Sequence, residues 1–212
     1  MKAKIDMADW PRKDHFNFFN KFEEPFFGVT VNVDCTDAYE RAKRKGASFF
    51  LYYLYASLTA VNNTEAFRYR IIDDEVYLFD VVHASSTVNR PDGTFGFSYI
   101  DFKPTFDEFA AGAKAEIERI QNTTGLIPSS SGENVIHYSA IPWIDFTSLT
   151  HARSFSFKDS VPKISFGKIT ENNSRKLMPV SITVHHGLMD GLHVANYVDL
   201  FQELLNNSDQ QF

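Results

Sequence analysis

Residues 48–61, SFFLYYLYASLTAV, limit the possible folds more than any other segment of the chain. The segment has the length of a helix and is apolar nearly all round, and such a helix is stable only when other elements cover it. It is shorter than the roughly 20 apolar residues that span a bilayer, and it carries polar side chains. We therefore expect no membrane span and a helix buried in the interior of a folded domain.

Hydrophobic periodicity on either side of this segment predicts an α/β protein with a mixed sheet. Spacing of 3.6 residues predicts further helices at 11–22, 36–46, 105–120 and 194–205, the first with His15, Phe18, Phe19 and Phe22 on one face. Alternation with period two predicts strands at 27–33, 67–72, 76–79, 85–89, 95–101, 135–140, 163–170 and 177–184. A loop is expected at 127–133. Helices interspersed with hairpin-linked strands favour a mixed sheet covered by helices.

Length and charge exclude several classes of protein. The 212 residues predict a single domain spanning 1–212, and 21 basic against 27 acidic residues give a net charge of −6, which disfavours nucleic acid as a partner. A single cysteine, Cys35, excludes an internal disulfide and a four-thiolate metal site. Because the first residues lack the apolar run of a secretory signal, we expect a cytoplasmic protein.

Chemistry is concentrated in one stretch, His185-His186-Gly-Leu-Met-Asp190-Gly-Leu-His193, between strand 177–184 and the last helix. Side chains alternate along a strand, so His186 takes the inward parity of Ile182 and Val184 while His185 points the other way. An imidazole at a strand end beside a core-facing row is partly desolvated and positioned, which suits a general base near neutral pH.

Other interpretations of this stretch stay open. The histidines could be surface or core residues with satisfied nitrogens, and Asp190 could only cap the following helix. His186, Asp190 and His193 could chelate a metal on one helical face, although the two glycines argue against a continuous helix there, and we expect no metal. The sequence has no nucleophile elbow, phosphate loop or dinucleotide turn, which leaves a histidine base acting on a substrate hydroxyl or thiol.

Six ordered segments resemble the chloramphenicol acetyltransferase family, whose members end in an HHxxxDG motif and a helix. They are WPRKDHFNFF, FRYRIIDDEVYLFDVV, DGTFGFSYI, SAIPWIDFTS, ISFGKIT with LMPVSITVHH, and VHHGLMDGLHVANYVDLFQELL. The resemblance implies the two-layer α/β sandwich of CoA-dependent acyltransferases, assembled as a homotrimer with active sites between subunits. It also implies acetyl-CoA as co-substrate and acetylation of a hydroxyl of chloramphenicol, which inactivates the antibiotic.

Catalytic roles follow from the resemblance residue by residue. His186 would be the general base that deprotonates the acceptor hydroxyl, so that the alkoxide attacks the thioester without an acyl-enzyme. Ser139 would hydrogen-bond the tetrahedral oxyanion. Arg12 and Asp190 match a buried ion pair that holds the surroundings of the imidazole.

Binding residues follow in the same way. Trp143 and Lys168 match positions along the coenzyme arm, although Trp143 could also be a core aromatic, and Ser165 stands where the family has a threonine that holds a water. Phe18 and Phe95 fit an aromatic acceptor pocket. The sequence departs from the family at two positions of that pocket, with Phe19 where a tyrosine is common and His151 where an apolar residue is usual.

These departures leave two further functions open. The first is an acyltransferase of the same fold that acts on a different small hydroxylated acceptor. The second is a catalytically idle relative that binds a hydrophobic ligand. A dihydrolipoamide acyltransferase core is a weaker alternative with a similar motif.

Overall fold

The computed structural model describes residues 1–126, 132–156 and 158–207, and within them it has ten strands and five α-helices. The strands are β1 (Lys2–Lys4), β2 (Phe26–Asp34), β3 (Tyr69–Ile72), β4 (Glu75–Phe79), β5 (His83–Asn89), β6 (Phe95–Phe97), β7 (Val135–Ala140), β8 (Lys163–Phe166), β9 (Thr170–Asn172) and β10 (Arg175–His185). The helices are α1 (Lys13–Phe19), α2 (Thr36–Arg44), α3 (Phe49–Asn62), α4 (Phe106–Gln121) and α5 (Gly191–Asn207).

A seven-stranded mixed sheet in the order β2-β10-β8-β7-β5-β6, with β9 paired to β10, lies at the centre. The pairs β8–β7 and β7–β5 are parallel, and the others in this sheet are antiparallel. A small antiparallel sheet, β1-β4-β3, lies beside it. The predicted α/β class with a mixed sheet is therefore confirmed.

One face of the large sheet is apolar and is covered by helices. The ring of Phe166 on β8 lies 4.6 Å from that of Tyr53 on α3 and 6.1 Å from that of Phe201 on α5. Helix α3 confirms the predicted buried segment, with ten of its residues buried and Ser48 as its N-cap. Burial of this layer removes several large side chains from water, and each contributes roughly 1.5–3 kcal/mol to the stability of the fold. The layer thereby supports the sheet that carries the site residues.

The opposite face of the sheet carries polar side chains in register. Ser139 on β7 pairs with Ser165 on β8, Ser165 with Ser181 on β10, and Ser181 with Thr30 on β2. Residues in register lie side by side on the same face, so these hydroxyls form a row across four strands. The site residues of the central strands come from this face.

Helix α1 differs from its prediction, because it buries Phe16 rather than the predicted stripe. Phe18 and Phe22 are 59% and 45% exposed, and they pack against each other with ring centroids 5.2 Å apart. The helix begins at Lys13, after Pro11, and has only seven residues. In so short a helix a single residue can make the contact with the core, and the other rings remain available for neighbouring surfaces.

Several strand boundaries also differ from the prediction. The hairpin β3–β4 turns at Asp73 and Asp74 as expected, both at positive φ, which suits a tight turn. The predicted strand 163–170 is interrupted after Phe166, where a Cβ on Gly167 would approach the Cγ of Pro179 to 2.5 Å. Strand β1 was not predicted, β6 is shorter than expected, and most of the predicted loop at 127–133 lies outside the described residues.

No helix in the described ranges has the length and apolar character that a bilayer span requires.

Candidate active site

His186 follows the last residue of β10 and lies between two aromatic rings. Its backbone N–H donates to the carbonyl of Pro25 at 2.8 Å, which fixes the chain at this point. The imidazole stacks on Phe19, with centroids 3.9 Å apart, and lies 4.6 Å from the ring of Phe27. Its Nδ1 is 3.3 Å from the carbonyl oxygen of Met189. Because a carbonyl only accepts, this contact assigns the hydrogen of the neutral ring to Nδ1, and Nε2 is then the nitrogen that can accept a proton.

Arg12 connects the turn 186–190 to the start of α1. Its Nη1 lies 2.6 Å from Oδ2 of Asp190, and its Nη2 donates to the backbone carbonyl of His186 at 3.0 Å. The ion pair that the resemblance implies is thus present, but it is not fully buried, since the Arg12 and Asp190 side chains are 12% and 36% exposed. Arg12 therefore also holds the backbone of His186.

Asp190 acts as a cap as well as an ion-pair partner. Its Oδ1 accepts the backbone N–H of Leu192 at 3.1 Å and lies 2.8 Å from Nδ1 of His193. Partial burial raises the pKa of Asp190, but hydrogen bonds from Arg12 and His193 outweigh it and lower the pKa to about 2. The described residues contain no group of three or more His, Cys, Asp or Glu placed to hold a metal ion.

One interpretation of the two histidines was a core residue whose ring nitrogens have hydrogen-bond partners, and His185 fits it. It is 2% exposed, its Nδ1 accepts the N–H of Gly187 at 3.1 Å, and its ring packs against Phe26 at 5.4 Å. Burial, followed by the nearby Arg153, lowers the pKa of His185 to about 4, so it is neutral at pH 7. The predicted alternation continues at the strand end, since the ring of His186 lies against Phe27, the strand partner of Val184, while the ring of His185 lies against its own partner Phe26. His185 is nevertheless the more deeply buried of the two, because Phe26 covers its ring, and His186 is half-buried.

Ser139 lies in a cavity of about 470 Å³ on the polar face of the large sheet. Two other candidates, Phe95 and His151, line the same cavity. The remaining lining residues are Ser85, Thr87, Phe97, His137, Tyr138, Ala152 and Lys163. Sequence reasoning missed His137, although it shares the parity of Ser139 on β7 and could have been found from that alternation.

The residues assigned to the coenzyme are placed near one another by the chain that precedes and follows β8. Trp143 is 67% exposed, so it is not a core aromatic. The backbone N–H of Lys168 donates to the carbonyl of Ile144, next to Trp143, at 2.8 Å. Ser165 is fully buried, and its Oγ has no hydrogen-bond partner. A buried hydroxyl without a partner is a suitable place for an ordered water.

Comparison with known proteins decides the family. The sequence model of the family described as chloramphenicol acetyltransferase matches residues 2–202. The chain belongs to this family. It is 30% identical over 208 residues to chloramphenicol acetyltransferase 3 of Escherichia coli, covering 97% of each chain, and 28% identical over 212 residues to the Bacillus pumilus enzyme, covering 99% of this chain and 96% of the relative.

Solved structures agree with this membership of the chloramphenicol acetyltransferase family. One structure of a chloramphenicol acetyltransferase is 33% identical and superposes with a TM-score of 0.85, covering 97% of this chain and all of the other. A probable dihydrolipoamide acetyltransferase from Listeria monocytogenes superposes with a TM-score of 0.69 at 12% identity, covering 99% and 97% of the two chains, which shows a shared fold alone.

Within one chain of this acetyltransferase family member, the candidate residues fall into two groups. Arg12 and Phe19 contact His186, and Asp190 contacts Arg12, while Phe95 and His151 share the cavity of Ser139. His186 does not line that cavity. Phe18 and Phe19 instead line a shallow hollow of about 320 Å³ with Asp14 and His15. One chain therefore presents His186 and Ser139 at different places on its surface.

Proposed function

We propose that this protein transfers the acetyl group of acetyl-CoA to a hydroxyl of chloramphenicol, with His186 as the general base. The observation that carries the proposal is the contact between Nδ1 of His186 and the carbonyl of Met189, which makes Nε2 the accepting nitrogen of the neutral ring. A half-buried imidazole in this state can accept a proton from a hydroxyl within hydrogen-bond reach. An idle relative has no need of such a tautomer, so the geometry favours catalysis.

The reaction proceeds without a covalent enzyme intermediate. Nε2 of His186 takes the hydroxyl proton as the oxygen attacks the thioester carbonyl of acetyl-CoA, and a tetrahedral oxyanion forms. Ser139 donates a hydrogen bond to that oxyanion. The C–S bond then breaks, the acetyl ester is released, and the imidazolium returns its proton to the departing CoA thiolate. Arg12 and Asp190 are positioning residues, because Arg12 holds the backbone of His186 and Asp190 holds the guanidinium of Arg12.

The separation of the two groups of residues supports a homotrimer in which each site combines two subunits. The surface of His186 from one protomer then faces the cavity of Ser139 in the next. Exposed apolar side chains on this chain are consistent with such contacts: Phe18, Trp143, Ile144 and Leu192 are each more than half exposed. Trp143 and Lys168 line the pantetheine arm of the coenzyme, and the buried hydroxyl of Ser165 holds a water near the site. We place the enzyme in the cytoplasm.

Assay of the purified protein with acetyl-CoA and chloramphenicol, following release of free thiol, tests the activity. Replacing His186 by alanine should lower kcat by at least about 10²-fold, the usual contribution of a positioned base. The melting temperature of the variant should fall only modestly, since the half-buried imidazole makes one long hydrogen bond and stacks on Phe19. A wild type without turnover, or a variant with full turnover, contradicts the proposal.

A different hydroxylated acceptor is the second candidate, and one observation favours it. Phe19, which stacks on the base, has no hydroxyl, and the cavity of Ser139 includes the imidazole of His151. Loss of one hydrogen bond to the acceptor weakens binding by about 1 kcal/mol. A panel of small alcohols in the same thiol-release assay separates the two candidates, because a better acceptor than chloramphenicol gives the higher kcat/KM.

A further inference from the structure

Two imidazoles, His137 and His151, lie together in the cavity of Ser139, and we refer to them as the imidazole pair. Among the described residues, the ring of neither makes a hydrogen bond. The rings of Phe95 and Phe97, with centroids 5.6 Å apart, line the same cavity. The cavity thus joins an aromatic wall to unoccupied hydrogen-bonding groups.

His137 is held by its backbone in the sheet that forms the floor of the cavity. His137 on β7 lies in register between Ser85 on β5 and Lys163 on β8, so all three stand side by side on the polar face. The Lys163 ammonium is already engaged, 2.5 Å from Oδ2 of Asp159 and 3.0 Å from the carbonyl of Val161. It is therefore the imidazole, not the ammonium, that remains available to a bound molecule.

Both members of the imidazole pair are neutral at pH 7. Desolvation by the surrounding protein and the nearby Lys163 ammonium lower the pKa of His137 to about 4. Burial and the same ammonium also lower the pKa of His151. A neutral imidazole has one N–H donor and one acceptor nitrogen. The pair can therefore donate to an uncharged acceptor group, while the Lys163 ammonium disfavours a cationic one.

Only one nitrogen of His151 is available to a ligand. Its Nε2 is buried against the protein without a partner, so Nδ1 is the ring nitrogen through which His151 can reach a molecule in the cavity. Ser139 and His137 are two positions apart on β7, which corresponds to roughly 7 Å along a strand. A ring-bearing acceptor whose hydroxyl lies near Ser139 can therefore extend along β7 to the imidazole pair.

We propose that the imidazole pair determines acceptor specificity by hydrogen-bonding an uncharged polar substituent on the acceptor's aromatic ring, at the end away from the acetylated hydroxyl. The inference rests on the proposed function, and the nitro group of chloramphenicol is a substituent of this class. Nδ1–H of His151 donates to an oxygen of the substituent, and His137 supplies a second hydrogen bond from the floor.

The test compares two acceptors in wild type and variants. The acceptors are chloramphenicol and the analogue in which hydrogen replaces the nitro group. His151→Leu should lower kcat/KM for chloramphenicol about 5-fold, the effect of one lost neutral hydrogen bond, and should change kcat/KM for the analogue less than about 2-fold. His137→Leu should show the same selective loss. The KM for acetyl-CoA should not change in either variant.

Conservative variants separate hydrogen bonding from packing. The amide of asparagine can replace Nδ1 of histidine and that of glutamine can replace Nε2, so His151→Asn should keep most of the preference for the nitro compound and His151→Gln should lose it. This comparison also stands if the leucine variant fails to fold. Equal losses on both acceptors, or no loss on either, overturn the inference while the proposed function stands. A wild type that does not acetylate chloramphenicol overturns both.

Discussion

Replacement of Asp190 by asparagine is the substitution whose consequences the structure defines in most detail. Asparagine keeps an oxygen for the N–H of Leu192, so the cap survives, but it removes the charge that faces Arg12. The pKa of Asp190 is lowered from 3.8 to about 2, which corresponds to roughly 2.5 kcal/mol for a fully shielded group. Because the side chain is 36% exposed, solvent screening reduces this, and we expect a loss of about 1–2 kcal/mol in the free energy of unfolding.

Activity should fall further than stability implies. Arg12 also donates to the carbonyl of His186, so a released guanidinium leaves the backbone of the base less firmly held. Displacement of a catalytic group by about 1 Å can cost about 10²-fold, and we expect kcat to fall about 10- to 100-fold with little change in the KM for acetyl-CoA. Urea unfolding and steady-state kinetics at pH 7 measure the two effects.

The dependence on pH provides a further check. A carboxylate with a lowered pKa stabilises the fold fully above its unfolded pKa of 3.8, and this contribution is lost as the pH falls through about 2. The difference in stability between wild type and Asp190→Asn should therefore shrink between pH 4 and pH 2. Asp199→Asn is the matched control, because Asp199 is exposed and lies on α5, the helix that follows Asp190. If both variants have the same stability and kcat, Asp190 is only a cap and the reasoning is wrong.

Four further predictions use other parts of the structure. Ser139→Ala should lower kcat about 10²-fold with an unchanged melting temperature, and an effect on KM alone would assign Ser139 to binding. His185 is buried and neutral, with a pKa of about 4 against 6.5 when unfolded, so urea unfolding should show stability falling by roughly 3 kcal/mol from pH 6.5 to pH 4, and His185→Asn should flatten this slope. Light scattering should give a molar mass of three times 24.2 kDa, and a monomer with full activity would refute a site shared between subunits. Trp143→Ala should raise the KM for acetyl-CoA.

Elements governed by local rules could be predicted from the sequence. The apolar segment 48–61 becomes α3, and the Asp73-Asp74 turn closes a hairpin, because helix burial and turn conformation depend on neighbouring residues. The face of α1 could not be predicted, since seven residues with several phenylalanines satisfy more than one helical stripe, and packing against Trp10 selects Phe16.

The candidate site was predictable to the extent that it depends on motifs. The contact of Arg12 with Asp190 came from the resemblance, and the structure adds its partial exposure and its link to the carbonyl of His186. The cavity around Ser139 depends on which strands are neighbours in the sheet, and no local pattern specifies that pairing. His137 is the exception, because alternation along a single strand places it beside Ser139.

The ion pair between Arg12 and Asp190 joins residues 178 positions apart. The ribosome adds Asp190 to the nascent chain 178 residues after Arg12. The ion pair therefore cannot form until both residues have been synthesised, and closing so long a loop carries an entropic cost that slows folding. Polypeptides that terminate before Asp190 lack this ion pair, and we expect them to show no enzymatic turnover.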